Sequence, residues 1–289
     1  MNLKQKTDNM LNMYGLKAKK RYGQNFLVDE NIINRIIDES NITENDVVIE
    51  IGPGLGNLTE LLIEKAKLVI AFEIDEDMIR VLKGRFKNAT NFILINKDIL
   101  QVNIKKVLEE NDIGASNIKL VANLPYYITT PIMFKIFEEA SYIKSMTVMV
   151  QKEVADRIIA KPKSKDYGVL TINTKYYGQA EKLFDVPNIS FVPPPNVTSS
   201  IVKIDICNNF DVQNTEIFFK TIKAAFAQRR KKLLNSIENS NIINVEKEKL
   251  KAMLEECGVN ENARAEEIDI ETYIMLADKI NKEMKKSED

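Results

Sequence analysis

The chain has 289 residues, 44 % of them hydrophobic, enough to bury a core as one large domain or as a large and a small one. Its 41 Lys and Arg nearly balance its 42 Asp and Glu, which argues against a protein that coats nucleic acid over its whole surface but leaves room for a local basic face. It contains no histidine, which excludes Ser-His-Asp and Cys-His nucleophilic schemes, histidine metal sites and imidazole acid–base catalysis; its two cysteines, Cys207 and Cys257, fit neither a zinc cluster nor a disulfide framework.

Residues 1–16 mix lysines with amides and hold no apolar stretch of secretory length. No apolar run reaches the ~18 residues of a membrane span. The expectation is therefore a soluble cytoplasmic enzyme that works with carboxylates, amides, aromatic rings, amines or a cofactor, and without a metal. A basic cluster, Lys17, Lys19, Lys20 and Arg21, comes first. From residue 47 the chain reads as alternating strand and helix. Residues 47–51 form an apolar strand, 58–65 an amphipathic helix, 68–74 a second strand and 77–86 a second helix. Residues 92–95, 118–122, 145–150 and 200–206 read as later strands. The alternation predicts an α/β domain with a mostly parallel sheet covered by helices on both faces. After Cys207 everything reads as helix, over 217–228, 245–256 and 270–284, so a boundary is placed at 207/208 with a small helical bundle beyond it. Residues 285–289 read as a frayed tail.

Three motifs carry chemistry. Gly52-Pro53-Gly54-Leu55-Gly56 closes a strand and opens a helix, where glycines let backbone N–H groups approach a ligand at the positive end of the helix. Glu73, at the end of the next strand, can grip both hydroxyls of a ribose. A nicotinamide cofactor would call for Gly-x-Gly-x-x-Gly with room for a pyrophosphate. The tighter spacing here suits S-adenosylmethionine, which has no phosphates, and Asp98 is placed to accept from its adenine amine. Asn123-Leu124-Pro125-Tyr126 then follows a strand at the sheet edge where open α/β folds bind ligands. An exocyclic adenine amine is a poor nucleophile because its lone pair is delocalised into the ring. Accepting its N–H hydrogens, through the Asn123 side-chain oxygen and the Leu124 carbonyl, favours a tetrahedral nitrogen aimed at a methyl donor. Pro125 fixes the turn, and Tyr126 offers a ring for stacking. Phe191, opening the proline-rich stretch 191–197, is the candidate for the other wall of a slot for a flipped-out base. Four consecutive cations, Arg229, Arg230, Lys231 and Lys232, form a second basic cluster suited to phosphate contact.

These motifs, in this order, together with Gly23-Gln24-Asn25-Phe26-Leu27 and Lys97-Asp98-Ile99-Leu100, resemble the ribosomal RNA adenine dimethyltransferase family, and its bacterial small-subunit branch most. The resemblance implies a Rossmann-like class I S-adenosylmethionine methyltransferase domain over 1–207 with an N-terminal cofactor-covering segment, and a helical RNA-binding domain over 208–289. It implies cofactor contacts from Asn25 and Leu27, from Gly52 and Gly54 beside the methionine portion, from Glu73 at the ribose and from Asp98 at the adenine, with Asn123 bordering cofactor and target. It also implies two methyl groups on each of two adjacent adenosines near the 3′ end of 16S rRNA in the small subunit, with S-adenosylhomocysteine as by-product; a monomer is expected. Competing readings are a 23S rRNA methyltransferase of the macrolide-resistance type, a non-catalytic assembly factor on the same scaffold, and a nicotinamide-dependent oxidoreductase. The glycine spacing disfavours the last.

Overall fold

A computed structural model of the chain describes residues 1–114, 117–139, 142–207 and 209–286, with the backbone alone of Lys20. The expected boundary residue 208 and residues 287–289 of the expected tail lie outside the described residues. Two units are resolved, one of residues 1–155 and 179–207, the other of residues 156–178 with those that follow 207.

The first unit opens with α1 (Leu3–Tyr14), a helix the apolar pattern does not announce. Local chemistry forms it instead. The Asn2 and Gln5 side chains each accept from the other residue's backbone N–H, and Gly15 ends the helix in the left-handed conformation. The short strand β1 (Phe26–Leu27) follows, then α2 (Glu30–Glu39), capped by Asp29 and burying Ile33, Ile36 and Ile37 on one face.

The alternation then unfolds much as its periodicity predicts: β2 (Val47–Ile51), α3 (Asn57–Lys65), β3 (Leu68–Phe72), α4 (Glu76–Arg85), β4 (Phe92–Ile95), α5 (Ile104–Glu110), β5 (Ile118–Asn123), α6 (Thr129–Glu138) and β6 (Ile143–Gln151). All five residues of β2 are buried, as an interior strand covered on both faces requires. Beyond β6 come α7 (Lys152–Ile158), α8 (Val169–Tyr177), β7 (Gly178–Val186), β8 (Phe191–Val192) and β9 (Ser199–Ile206). The main sheet has the order β4-β3-β2-β5-β6-β9-β7. Its strands from β4 to β6 run parallel, and β9 is antiparallel to β6. The chain builds outward from β2 to β3 and β4, then returns to start again at β5 on the other side. That reversal leaves a crevice at the carboxyl ends of β2 and β5, where open α/β sheets bind ligands. A separate ribbon pairs β1 with β8, matching Phe26 to Val192 and Leu27 to Phe191.

The second unit consists of α8 with α9 (Thr215–Ala225), α10 (Leu233–Glu238), α11 (Lys247–Glu256) and α12 (Ile270–Lys286). Its core joins Phe218, Ile222, Tyr273, Leu276 and Ile280 to Ala160, Tyr167 and Ile172. The sequence boundary therefore misses one piece: residues 156–178 were assigned to the first domain but belong to the bundle. Tyr176 explains why. Its ring centroid lies 5.2 Å from both Phe218 and Phe219 on α9, an aromatic cluster that local periodicity does not reveal.

Candidate active site

The glycine turn after β2 is built by two constraints. Gly54, at φ +58°, gives its N–H to a Glu73 oxygen at 3.2 Å, and a Cβ there would sit 3.2 Å from the Phe26 ring. Gly56, at φ +83°, has no room for a side chain, because a Cβ would come within 2.7 Å of Phe86. Gly52 faces Pro125 across the crevice, its missing Cβ 3.6 Å from that ring.

Glu73 is 7 % exposed at the end of β3. Besides Gly54, it accepts from the N–H groups of Ile74 and Asp75 at 2.8 and 2.9 Å. Burial raises its carboxyl above the usual range, and those N–H groups oppose the rise. Glu50, at 2 % exposure, accepts from the Thr59 hydroxyl at 2.7 Å. Burial, with Glu73 adding repulsion, pushes it up to about 8, so it holds a proton at neutral pH. Asp98 closes β4's loop, where one oxygen caps the Leu100 N–H at 3.0 Å while the residue lines the crevice.

A network of polar contacts pins the N-terminal segment over these groups. Lys19 lies 2.6 Å from Asp75 and 2.5 Å from Asp77 at the start of α4. Gln24 donates to the other Asp75 oxygen at 2.8 Å and accepts from the Lys19 N–H at 2.8 Å. The acids hold the Lys19 amine above its ordinary value. In the expected basic cluster, Lys19 is therefore a strut; Lys17 and Arg21 remain exposed. The segment is fastened again where Asn57 donates to the Leu27 carbonyl at 2.9 Å.

Asn123 ends β5. Its side-chain nitrogen donates to the Asn25 carbonyl at 3.3 Å, which leaves Oδ1 as the acceptor. The Leu124 N–H is used by Met149 at 3.1 Å, and its side chain is buried. Pro125 accepts from Ile128 and Thr129 through its carbonyl, starting a 3-10 turn. The Tyr126 hydroxyl is hydrogen-bonded to Ser199 on β9, which fixes the ring; burial raises its phenol, so it is neutral at physiological pH. Tyr127, half exposed, packs against Gly23.

Asn25, Leu27, Gly52, Gly54, Glu73, Asp98, Asn123, Leu124, Pro125 and Tyr126 all line a single open pocket of about 1090 Å³, counting the solvent-filled space at its mouth. Phe191 does not. It is 2 % exposed and packs into the core with Leu27, Ile33 and Ile201, so it supports β1 from below and forms no wall for a base. The pairing of β8 with β1, invisible in a proline-rich stretch read as a loop, turns the ring inward. Tyr22 and Tyr127 line the pocket and were not singled out from the sequence; adjacency to the Gly-Gln-Asn and Asn-Leu-Pro-Tyr motifs is the signal that could have found them. Arg229, Arg230, Lys231 and Lys232 are all exposed in the turn between α9 and α10 of the other unit. Among the described residues there is no cluster of three or more acids or cysteines able to hold a metal, and no helix long and apolar enough to cross a membrane.

Comparison with known proteins gives the same family at every level. The family model for "Ribosomal RNA adenine dimethylase" matches residues 15–282. A protein of Alkaliphilus oremlandii named ribosomal RNA small subunit methyltransferase A is 42 % identical over 96 % of this chain and 97 % of its own length. A protein of the same name from Bacillus licheniformis is 42 % identical over 95 % of both chains. Among solved structures, a dimethyladenosine transferase from Plasmodium falciparum superposes with a TM-score of 0.73 at 26 % identity, covering 90 % of this chain and 98 % of that one. The 23S rRNA methyltransferase ErmE superposes at 0.65 with 24 % identity, covering 89 % of this chain and all of its own, and so speaks for the fold alone. The sheet order, the glycine turn and the Asn-Leu-Pro-Tyr corner thus sit in a class I methyltransferase fold, and the chain belongs to the ribosomal RNA adenine dimethylase family.

Proposed function

We propose that the chain transfers methyl groups from S-adenosylmethionine to the exocyclic amines of adenosines in 16S rRNA, acting on two adjacent adenosines near the 3′ end within the small subunit. One observation carries the reading: the Asn123 amide is held by the Asn25 carbonyl with its oxygen left to accept, in the same pocket as the glycine turn and Glu73.

The residues present fit the cofactor. The pocket's lining of glycine backbone, buried carboxyls and apolar side chains suits a nucleoside with an amino-acid tail. Glu73 would hold the ribose hydroxyls, Asp98 the adenine amine, and Gly52 and Gly54 the methionine portion, with Asn25 and Leu27 covering it. When bound, S-adenosylmethionine supplies an electrophilic methyl group on a cationic sulfur. Asn123 Oδ1 and the Leu124 carbonyl accept the hydrogens of the adenine amine and draw its lone pair out of the ring. The same oxygens face the positive charge that grows on nitrogen during transfer. Tyr126, pinned through its hydroxyl, is a rigid stacking platform. Alignment supplies most of the acceleration, so a site without histidine suffices.

The relatives of 42 % identity are bacterial proteins named for the small subunit, which supports 16S over 23S rRNA and a cytoplasmic place of work. The exposed cations Arg229, Arg230, Lys231 and Lys232 support RNA contact by the helical unit. The test is incubation of the protein with methyl-labelled cofactor and small subunits lacking the modification, followed by mass mapping of the RNA. Dimethyladenosine at two neighbouring 16S positions is expected; label in 23S rRNA, or none, overturns the reading.

A further inference from the structure

Three lysines that the motifs leave aside, Lys161, Lys163 and Lys165, alternate along the loop before α8, and all three are exposed. The loop's single acid, Asp166, is only partly exposed. Two contacts set the loop in place. The Arg229 guanidinium donates to the Lys165 carbonyl, and the Lys163 N–H donates to the Glu266 carbonyl at 2.7 Å. The first contact brings the loop beside the α9–α10 turn, so the exposed loop lysines and the exposed Arg229, Arg230, Lys231 and Lys232 lie on adjoining segments of the helical unit. Lys163 holds a left-handed backbone, φ +72°, an uncommon geometry for a lysine.

The ordinary reading of a charge run is a solvated surface balanced by neighbouring acids. Several lysines elsewhere in this unit are balanced in this way, Lys247 at 2.6 Å from Glu238, Lys249 at 2.7 Å from Glu283 and Lys279 at 2.5 Å from Glu256, while Lys223, Lys282 and Lys285 stand exposed one by one. The loop lysines and the cations of residues 229–232 have no ion pair among the described residues. A chain with net charge −1 thus carries, on two adjoining segments, seven exposed cations with no ion pair among the described residues. Tyr167, the aromatic nearest the loop in sequence, is buried, and Phe226, nearest to Arg229, packs with its centroid 6.4 Å from that ring, so neither presents an exposed stacking platform. Charge without rings suits the backbone of a helical RNA segment and does not suit unpaired bases.

Resting on the proposed activity, we infer that Lys161, Lys163 and Lys165 join residues 229–232 in a single phosphate-binding surface that holds a double-stranded rRNA segment independently of its sequence. The test uses the full chain with Lys161, Lys163 and Lys165 all replaced by Gln, and fluorescence anisotropy with a short RNA duplex over a range of salt. The triple variant should bind the duplex roughly tenfold more weakly at low salt, with a log–log salt slope shallower by about 2–3. Binding of S-adenosylhomocysteine and the melting temperature should stay as in the wild type. Unpaired oligouridine of the same length should show a smaller loss. An unchanged slope, or an equal loss on oligouridine and duplex, overturns the inference. A wild-type chain that methylates small subunits while the triple variant keeps its slope sinks this inference alone. A wild-type chain that transfers no methyl group sinks the activity, whatever the slopes.

Discussion

Asn123 does its work through orientation. Its nitrogen is committed to Asn25, so its oxygen meets the target amine. Asn123→Ala should lower kcat on the order of 100-fold with little change in cofactor affinity, by analogy with the loss of one aimed polar group from an active site. Steady-state kinetics with calorimetry of S-adenosylhomocysteine binding checks this, and a variant that fails to fold would point to a structural role instead. Glu50 makes a different prediction. Its folded value, about 8, stands above the 4.5 of an exposed glutamate. Below 4.5 the proton is present in both states. As pH rises towards 8 the folded chain keeps a proton that the unfolded chain has released, so stability falls, by an amount on the order of 5 kcal/mol across the window. Glu50→Gln mimics the protonated form and should flatten this slope. Urea melts between pH 5 and pH 8.5 read the difference, and parallel slopes for both proteins would refute it. Single residues of the site were legible where their motif has a chemical reason, as in Asn123, Glu73 and Gly54. Phe191 misled because an aromatic beside prolines looks available, whereas its direction is set by strand pairing with residues more than a hundred positions earlier.

At the level of elements, six of the seven strands of the main sheet were readable because an interior strand needs a nearly continuous apolar run, as 68–72 supplies and 47–51 supplies but for Glu50, whereas the polar edge strand β7 was not. α1 and α8 were not. α1 depends on a capping box and on contacts made by Thr7, Met10 and Tyr14 with distant residues, and α8 on the aromatic cluster with α9. The N-terminal segment stands over the pocket through Lys19, Gln24 and Asp75, which tie it to the start of α4. Lys19→Met keeps the aliphatic stem and removes the two ion pairs of that tie. Cofactor affinity should fall about tenfold, equivalent to roughly 1.4 kcal/mol, while kcat at saturating cofactor stays near the wild-type value. Calorimetry decides; an unchanged Kd would mean that Gln24, Asn57 and the β1–β8 ribbon hold the segment without Lys19.

For the molecule as a whole, two units divide the labour, the first carrying the pocket and the second carrying seven exposed cations that form no ion pair among the described residues. Replacing Arg229, Arg230, Lys231 and Lys232 by Gln should weaken small-subunit binding and reduce its salt dependence without altering the Kd for S-adenosylhomocysteine. Filter binding across salt concentrations reads this, and a full-strength salt response in the variant would move the phosphate contact elsewhere. The bond from Asn123 to Asn25 spans 98 positions of the chain. A primary amine arrives with hydrogens outward, and an amide turned half a revolution would meet it hydrogen to hydrogen. A molecule whose first strand came loose would keep the glycine turn and its carboxylates, yet its catalytic corner would be free to rotate into a posture that repels the very nucleobase it should welcome.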